Sequence, residues 1–432
     1  MSTHAATISP AVASAPVNAP AASLSSIATK ALILGIAGLA FTALGLVFAD
    51  GKTLAFSYLT AVVFWLSVAL GCLFLVMIHH VFDAGWSTIL RRQLENWLAC
   101  VPWLAVLFLP LLVSVIIAPG LLWKWTDPAF DLFNVGGRGT VAEDILWFKK
   151  SGLLNTGFLF GATIGGFAIW ALLANRLRAH SFAQDTDGSI AHTHANRFWT
   201  AVGLPLTSLS MTLCIILWVK ALDYHWFSTM FGVWYFAAAV RAALALGVIL
   251  TVWLWHRGDY KGILNNNHMH SIGMMMFAFT VFWAYISFSQ YFIIYMANIP
   301  EETFWYSLRE IAGDGSSNQW KWVGMFLLFG HFVVPFLTLI HYQIKLSKTW
   351  MPRIAGSMAF VVLIDMIYNV MPAQKGPTGD AYPFLGMSLL WIATSVIGIG
   401  GICVWAYLNS FSKTKLIPIR DPRITESLTH HE

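Results

Sequence analysis

Three ionisable side chains stand deep within apolar segments of this 432-residue sequence. Arg241, His331 and Asp365 lie roughly ten to twelve residues inside such segments, which at about 1.5 Å per residue of helix is a depth of about 15 to 18 Å. An ionisable group near the middle of a bilayer costs roughly 2.5 to 3.5 kcal/mol to insert. We therefore expect these three groups to share one depth and to serve a function there or to neutralise one another.

The sequence leaves two main explanations open for this set. In one, Arg241, His331 and Asp365 face the interior of one helical bundle and form a proton relay, with Tyr368 and Asn369 nearby. In the other, Arg241 and Asp365 form a structural ion pair that satisfies both charges and moves nothing. Exposure of these charges to lipid is the least favoured arrangement.

A second polar group follows the second apolar segment. His79 and His80 stand four and three residues before Asp83, so if the helix continues, Asp83 can contact either imidazole. That arrangement would suit proton uptake. The alternative is a solvated helix end followed by Arg91 and Arg92 in a loop.

A third polar group occupies the turn between the fifth and sixth segments. Asp223 and His225 stand there among aromatic side chains, an arrangement that could line a site for a quinone head group or a proton exit. The alternative is a hydrogen-bonded turn at the membrane interface.

No motif for a covalently held redox centre occurs in the chain. Its four cysteines are isolated, and no C-x-x-C, C-x-x-C-H or ferredoxin-type run is present, which excludes haem c and iron–sulfur clusters held by this chain. His268 and His270 are two residues apart and therefore lie on different faces of a helix. We predict no metal site.

The elements that hold these residues are predicted to be transmembrane helices. The sequence is 58% hydrophobic and only 10% charged, and its 21 Trp and 12 Tyr suit interfacial aromatic belts. We predict an all-α polytopic membrane protein of about ten transmembrane helices. The ten apolar runs begin near Ala31, Leu54, Trp97, Gly152, Trp199, Thr229, Ile272, Lys321, Arg353 and Leu385.

Loop charge predicts the orientation. Lys and Arg are more frequent in the loops after even-numbered segments, so both termini should be cytoplasmic. The long connection Ala118 to Ser151 and the acidic stretch from Pro300 to Glu302 would then lie outside. We expect a disordered cytoplasmic tail at residues 1–26 and a second cytoplasmic tail at residues 409–432. The net charge of +5 is scattered and does not indicate a nucleic-acid partner.

Three long stretches resemble one family. They are LDYHWFSTMFGVWYF from Leu222, NNNHMHSIGMMMFAFTVFWAYISFSQYFIIYMANIPEE from Asn265, and IPIRDPRITESL from Ile417. These stretches look like the NrfD-like integral membrane subunits of alternative complex III, and in particular like its ActF-type subunit. The likeness extends from Leu54 to the C-terminal tail.

The resemblance implies a role in a quinol:electron-acceptor oxidoreductase complex of the bacterial inner membrane. The partners would be a sister NrfD-like subunit, periplasmic subunits that hold the iron–sulfur clusters and haem c, and in some complexes a terminal oxidase. The family fold would make residues 54–222 and 229–371 two four-helix bundles, flanked by helices at 27–50 and 385–408. Arg241, His331 and Asp365 would all belong to the second bundle.

The sequence also departs from the family pattern. The usual LDPHW has Tyr224 in place of proline, an HDLGK-like stretch becomes His270 to Met274, and an SRD-like basic run is replaced by Ile340 to Gln343. We therefore expect this chain to supply scaffold and a proton path, with quinol chemistry in the sister subunit. The alternatives are a secondary transporter, or a subunit that itself binds and oxidises quinol through Asp223, His225 or His270.

Overall fold

The computed structural model describes residues 21–376 and 378–430. Over these residues the protein is helical, and the extended chain forms only isolated β-bridges. Within this described part of the chain, ten helices are long and apolar enough to span a membrane, which confirms the predicted all-α polytopic fold. We number them α1 (Leu24–Phe48), α2 (Gly51–Val81), α3 (Gly85–Ile117), α4 (Thr156–Asp187), α5 (Ile190–Asp223), α6 (Phe231–Arg257), α7 (Asn266–Ala297), α8 (Gln319–Leu339), α9 (Trp350–Ala373) and α10 (Ser388–Phe411).

Eight of these helices form two closed groups. In the first, α2, α3, α4 and α5 each contact the next helix, and α5 closes back onto α2. The second group closes in the same way from α6 to α9, and α2 packs against α6 between the groups. Helix α1 packs on α10, which in turn packs on α2.

The contact between α2 and α6 depends on a glycine. A Cβ atom on Gly71 would overlap the backbone carbonyl of Ala239 in α6. Only a residue without a side chain lets these two helix backbones approach so closely, as is common between helices in membranes.

The two ends of the helical assembly differ. The connection Ala118 to Ser151 covers one end, which we call the long-loop end, together with the helix Pro300–Glu310. The other end is covered by residues 412–430 and is called the tail end. There Leu416, Ile417 and Ile424 are buried, so the expected C-terminal tail is a packed segment as far as His430.

Several predicted boundaries were wrong, and two of them change the description of nearby residues. A helix already begins at Ala21, so residues 21–26 of the expected disordered tail are helical, and residues 1–20 lie outside the described part. Helix α3 begins at Gly85, about a dozen residues before the predicted start. Arg91 and Arg92, assigned to a loop by their charge, are therefore inside a helix and fully buried.

Acidic partners explain that burial. Arg91 pairs with Glu95 at 3.0 Å and with Asp421 of the C-terminal segment. Arg92 pairs with Asp185 of α4 at 2.7 Å. A buried charge is tolerated when it is paired and hydrogen-bonded. Glu95 is a local partner one helical turn away, whereas Asp421 and Asp185 come from distant parts of the chain.

Candidate functional site

A polar cluster lies inside the second helical group. Arg241 of α6, His331 of α8 and Asp365 of α9 have exposed fractions of 0%, 0% and 2%. Arg241 is ten residues from the start of α6, so it lies about 15 Å below the long-loop end. We call these three residues, with Asn369, Trp234 and Trp283, the buried cluster.

The Asp365 carboxylate is the centre of this cluster. The indole nitrogens of Trp234 and Trp283 both donate to its Oδ2, each at 3.2 Å. The side-chain amide of Asn369 donates to Oδ1 at 3.0 Å, and His331 Nε2 lies 3.3 Å from Oδ2. Because three neutral donors surround it, a carboxylate can be held here without a contacting cation.

Proline chemistry positions His331. It lies in a π-helical turn, Leu328–Val333, in the middle of α8. Pro335 has no N–H, so the carbonyl of His331 four residues earlier lacks the donor that an α-helix would supply. Arg241 donates to that carbonyl at 2.8 Å, and the imidazole stacks on Trp283 with ring centroids 4.0 Å apart. Turns of this kind often occur at functional sites.

The structural ion pair between Arg241 and Asp365, one of the two explanations that the sequence leaves open, is not formed. The ionisable side chain that contacts the Asp365 carboxylate is His331. Arg241 instead donates a hydrogen bond to the His331 carbonyl, and its guanidinium lies 5.6 Å from the centre of the Trp283 ring. Pro335 in the sequence already indicates that the His331 carbonyl lacks its α-helical donor. The two side chains therefore act on opposite ends of His331.

A second buried arginine repeats this arrangement nearer the long-loop end. Pro372 leaves the carbonyl of Tyr368 without its helical partner, and Arg309 donates to it at 3.2 Å. Arg309 comes from the helix Pro300–Glu310, is fully buried, and stacks on Trp305 at 3.3 Å. Burial lowers the pKa of Arg309 to about 10, and Tyr368 and Asp223 partly oppose this effect.

A pocket at the long-loop end holds Asp223. Its volume is about 540 Å³, and it is lined by Asp223, Lys124, Lys375 and the stretch 132–146, among others. Asp223 Oδ1 lies 2.9 Å from Lys375 and 3.8 Å from Lys124. Burial lowers the pKa of Lys124 to about 8, although Asp223 opposes the shift. We call this cavity the long-loop pocket.

His225 and Tyr224 meet a partner that the sequence did not suggest. Both donate to the Asp144 carboxylate, Tyr224 at 2.6 Å. Burial acts to raise the pKa of Asp144, but the bonds from Tyr224 and His225 outweigh it, so its pKa lies below the ordinary value. Asp144 comes from the long connection and was missed because nothing in its local sequence indicates this contact.

The long-loop pocket is large enough for a quinone head group, but its polar side chains already contact one another. The volume falls within the usual range for small-molecule sites. However, Asp223 is engaged by two lysines, and His225 by Asp144. Head-group binding at Asp223 Oδ1 or His225 Nε2 would have to displace these contacts, so we derive no quinone chemistry from these atoms.

His270 does not belong to this pocket. It lies in the first turns of α7 at the tail end, where its ring packs against Tyr342 with centroids 5.0 Å apart. The structure thus brings Asp223 and His225 to one end and His270 to the other. These three residues do not form a single site.

The contact of Asp83 with His79 or His80, which required the helix to continue, is not formed either. Helix α2 ends at Val81, and Asp83 has a left-handed backbone with φ of +52°. Its carboxylate therefore turns to Arg197 and Arg423. Burial acts to raise the pKa of Asp83, but these two arginines lower it below the ordinary value.

His79 and His80 remain buried beside this network. Neither imidazole has a hydrogen-bond partner among the described residues, and His79 packs edge-on against Trp86 at 5.6 Å. They lie near the tail end, whereas Arg241 is sixteen residues from that end of α6, or about 24 Å. The structure therefore does not bring them to the buried cluster.

No protein-family model matches the sequence, and neither does any curated protein.

Proposed function

We propose that this chain is an integral membrane subunit of a quinol-oxidising respiratory complex of the alternative complex III type, and that α6 to α9 hold a step of proton transfer. The observation that carries the second part is the pairing of His331 and Asp365. An imidazole and a carboxylate 3.3 Å apart, both buried at mid-depth of the bundle, can exchange a proton.

The assignment to the complex rests on the three sequence stretches that resemble its NrfD-like subunits. Quinol oxidation releases two electrons and two protons. The chain has no motif for a covalently held redox centre, so electrons would pass through iron–sulfur and haem c subunits. We assign quinol oxidation to the sister membrane subunit, because Asp223 and His225 are engaged by other side chains.

The polar residues of α9 support a route toward the long-loop end. Asn369 contacts Asp365 from one helical turn above, and Tyr368 lies beside Arg309, whose charge interacts with Asp223. A proton released at Asp365 would leave along this line toward the long-loop pocket. Arg309 cannot carry the proton, since arginine stays protonated. Its role in this route is to hold Tyr368.

Within the proposed complex, the long-loop end would face the periplasm of a bacterial inner membrane and both termini the cytoplasm. The excess of Lys and Arg in the loops of the tail end supports this orientation. The periplasmic subunits would then contact the Ala118 to Ser151 connection and the helix Pro300–Glu310.

The first experiment is purification of the complex from native membranes through a tag at the N-terminus, because the C-terminal segment is packed against the helices. We expect haem c and iron–sulfur subunits to co-purify with quinol oxidation activity. A chain that purifies alone, colourless and inactive with quinol would overturn the assignment and favour a transporter.

The second experiment tests the proton step in reconstituted vesicles. Asp365→Asn should leave quinol oxidation largely intact while abolishing proton transfer coupled to it. Asp314→Asn is a matched control, because Asp314 is exposed at the long-loop end and accepts a hydrogen bond from the backbone N–H of Ser316 in its own turn. Equal proton transfer in both variants would exclude Asp365 from the path.

A further inference from the structure

Two histidines at the turn between α4 and α5 face each other through the same ring atom. His180 lies near the end of α4 and His192 in the first turn of α5. Their Nδ1 atoms are 3.1 Å apart. The turn that joins the helices passes through Gly188, whose φ of +67° closes the chain tightly enough for the rings to meet.

A carboxylate fixes the orientation of one ring. Asp187 Oδ2 lies 2.9 Å from Nε2 of His192, and Asp187 Oδ1 accepts a hydrogen bond from the backbone N–H of Ser189 at 2.9 Å. An acidic partner on Nε2 places the hydrogen of neutral His192 there. The lone pair on Nδ1 therefore points toward His180.

This combination is the one found around protein-bound transition metals. Metal-ligating histidines usually donate their other ring N–H to a carboxylate, which orients the ring and raises its basicity. Two nitrogens 3.1 Å apart can both bind one ion at about 2.0 to 2.1 Å, with an angle at the metal of about 98°. That angle is close to tetrahedral.

The geometry points to a binding site for a divalent transition-metal ion, of the class Zn²⁺, Cu²⁺ or Ni²⁺, held by Nδ1 of His180 and Nδ1 of His192. Asp187 positions His192 from behind. When the ion binds, the hydrogen of His180 sits on Nε2, so both ligands remain neutral imidazoles. Imidazole ligands suit these ions.

The surroundings make this an open site. The side chain of His192 is 20% exposed and that of Asp187 is 51% exposed, so water can complete the coordination. No group of three or more His, Cys, Asp or Glu side chains that could hold a metal occurs among the described residues.

The site can be tested on the full chain purified in detergent through a tag without histidines. Copper(II) is added, and its electron paramagnetic resonance spectrum is recorded. We expect one strongly bound ion per chain with coupling to two imidazole nitrogens. His180→Gln and His192→Gln should each remove the two-nitrogen signal, and Asp187→Asn should weaken binding by about 10- to 100-fold.

His194→Gln is the matched control, because His194 lies on the same helix, is exposed and points to a different face. It should bind copper as the unaltered chain does. Competition for Zn²⁺ between each variant and a coloured chelator should rank the affinities in the same order as copper does. The elution volume in gel filtration confirms that each variant is folded. The inference is overturned if the unaltered chain shows no bound copper, or if folded His180→Gln and His192→Gln variants keep the two-nitrogen signal.

Discussion

Asparagine at position 365 should destabilise the protein in a way that a second substitution partly reverses. The carboxylate accepts one hydrogen bond on Oδ1 and two on Oδ2. Asparagine has one oxygen and one NH₂ group, so at least one donor would face another donor. A buried donor without an acceptor costs about 1 to 3 kcal/mol, and each retained bond weakens by about 1 kcal/mol when its acceptor loses its charge.

The expected cost of Asp365→Asn is therefore about 3 to 5 kcal/mol, similar to breaking other buried charge networks. It also removes a negative charge that acts through space on the buried Arg241 guanidinium. Replacing the Arg241 charge as well, in Arg241→Gln with Asp365→Asn, should cost less than the sum of the two single changes by about 1 to 3 kcal/mol, since both side chains contact His331.

The assay is unfolding of the four proteins in mixed micelles with increasing denaturing detergent, combined with proton transfer in vesicles. If Asp365 carries protons, the double variant regains part of the stability but none of the proton transfer. Recovery of both would show that Arg241 and Asp365 only balance one another. A cost below about 1 kcal/mol for Asp365→Asn would refute the hydrogen-bond geometry itself.

Three further predictions concern other parts of the fold. Asp421→Ala removes the partner that Arg91 and Arg423 share. Because charge-assisted hydrogen bonds are worth about 1.5 to 3 kcal/mol each, we expect the free energy of unfolding to fall by about 3 to 6 kcal/mol and proteolysis after Phe411 to become faster. Glu426→Ala is the control and should change the proteolysis rate less. Burial lowers the pKa of Lys124 to about 8, so the folded protein holds fewer protons there than the unfolded chain above that pH. The contribution of Lys124 to stability should then rise from about pH 8 to 10, and the rise should vanish in Lys124→Met. Gly71→Ala should force α2 away from Ala239 and lower the unfolding midpoint, whereas Gly161→Ala, whose added Cβ meets nothing within 4 Å, should leave it unchanged or raise it; equal effects would contradict the close contact of α2 with α6.

The sequence by itself determined the fold class and the number of helices. A chain with 58% hydrophobic and 10% charged residues must bury its backbone polar groups in helices if lipid surrounds it, and ten apolar runs of sufficient length follow directly. The cost of burying charge likewise singled out Arg241, His331 and Asp365, because few other ionisable groups lie at that depth. These conclusions depend on composition and spacing, which the sequence contains in full.

The tertiary structure alone decided which atoms meet. Pro335 and Pro372 each indicate, from the sequence, a carbonyl that lacks its α-helical donor. Only helix packing brings Arg241 to the first carbonyl and Arg309 to the second. The same holds for Asp421, which reaches Arg91 from 330 residues away. A charge in a sequence predicts a need for a partner. The identity of that partner depends on how distant helices pack, so it cannot be predicted from the neighbouring residues in the sequence.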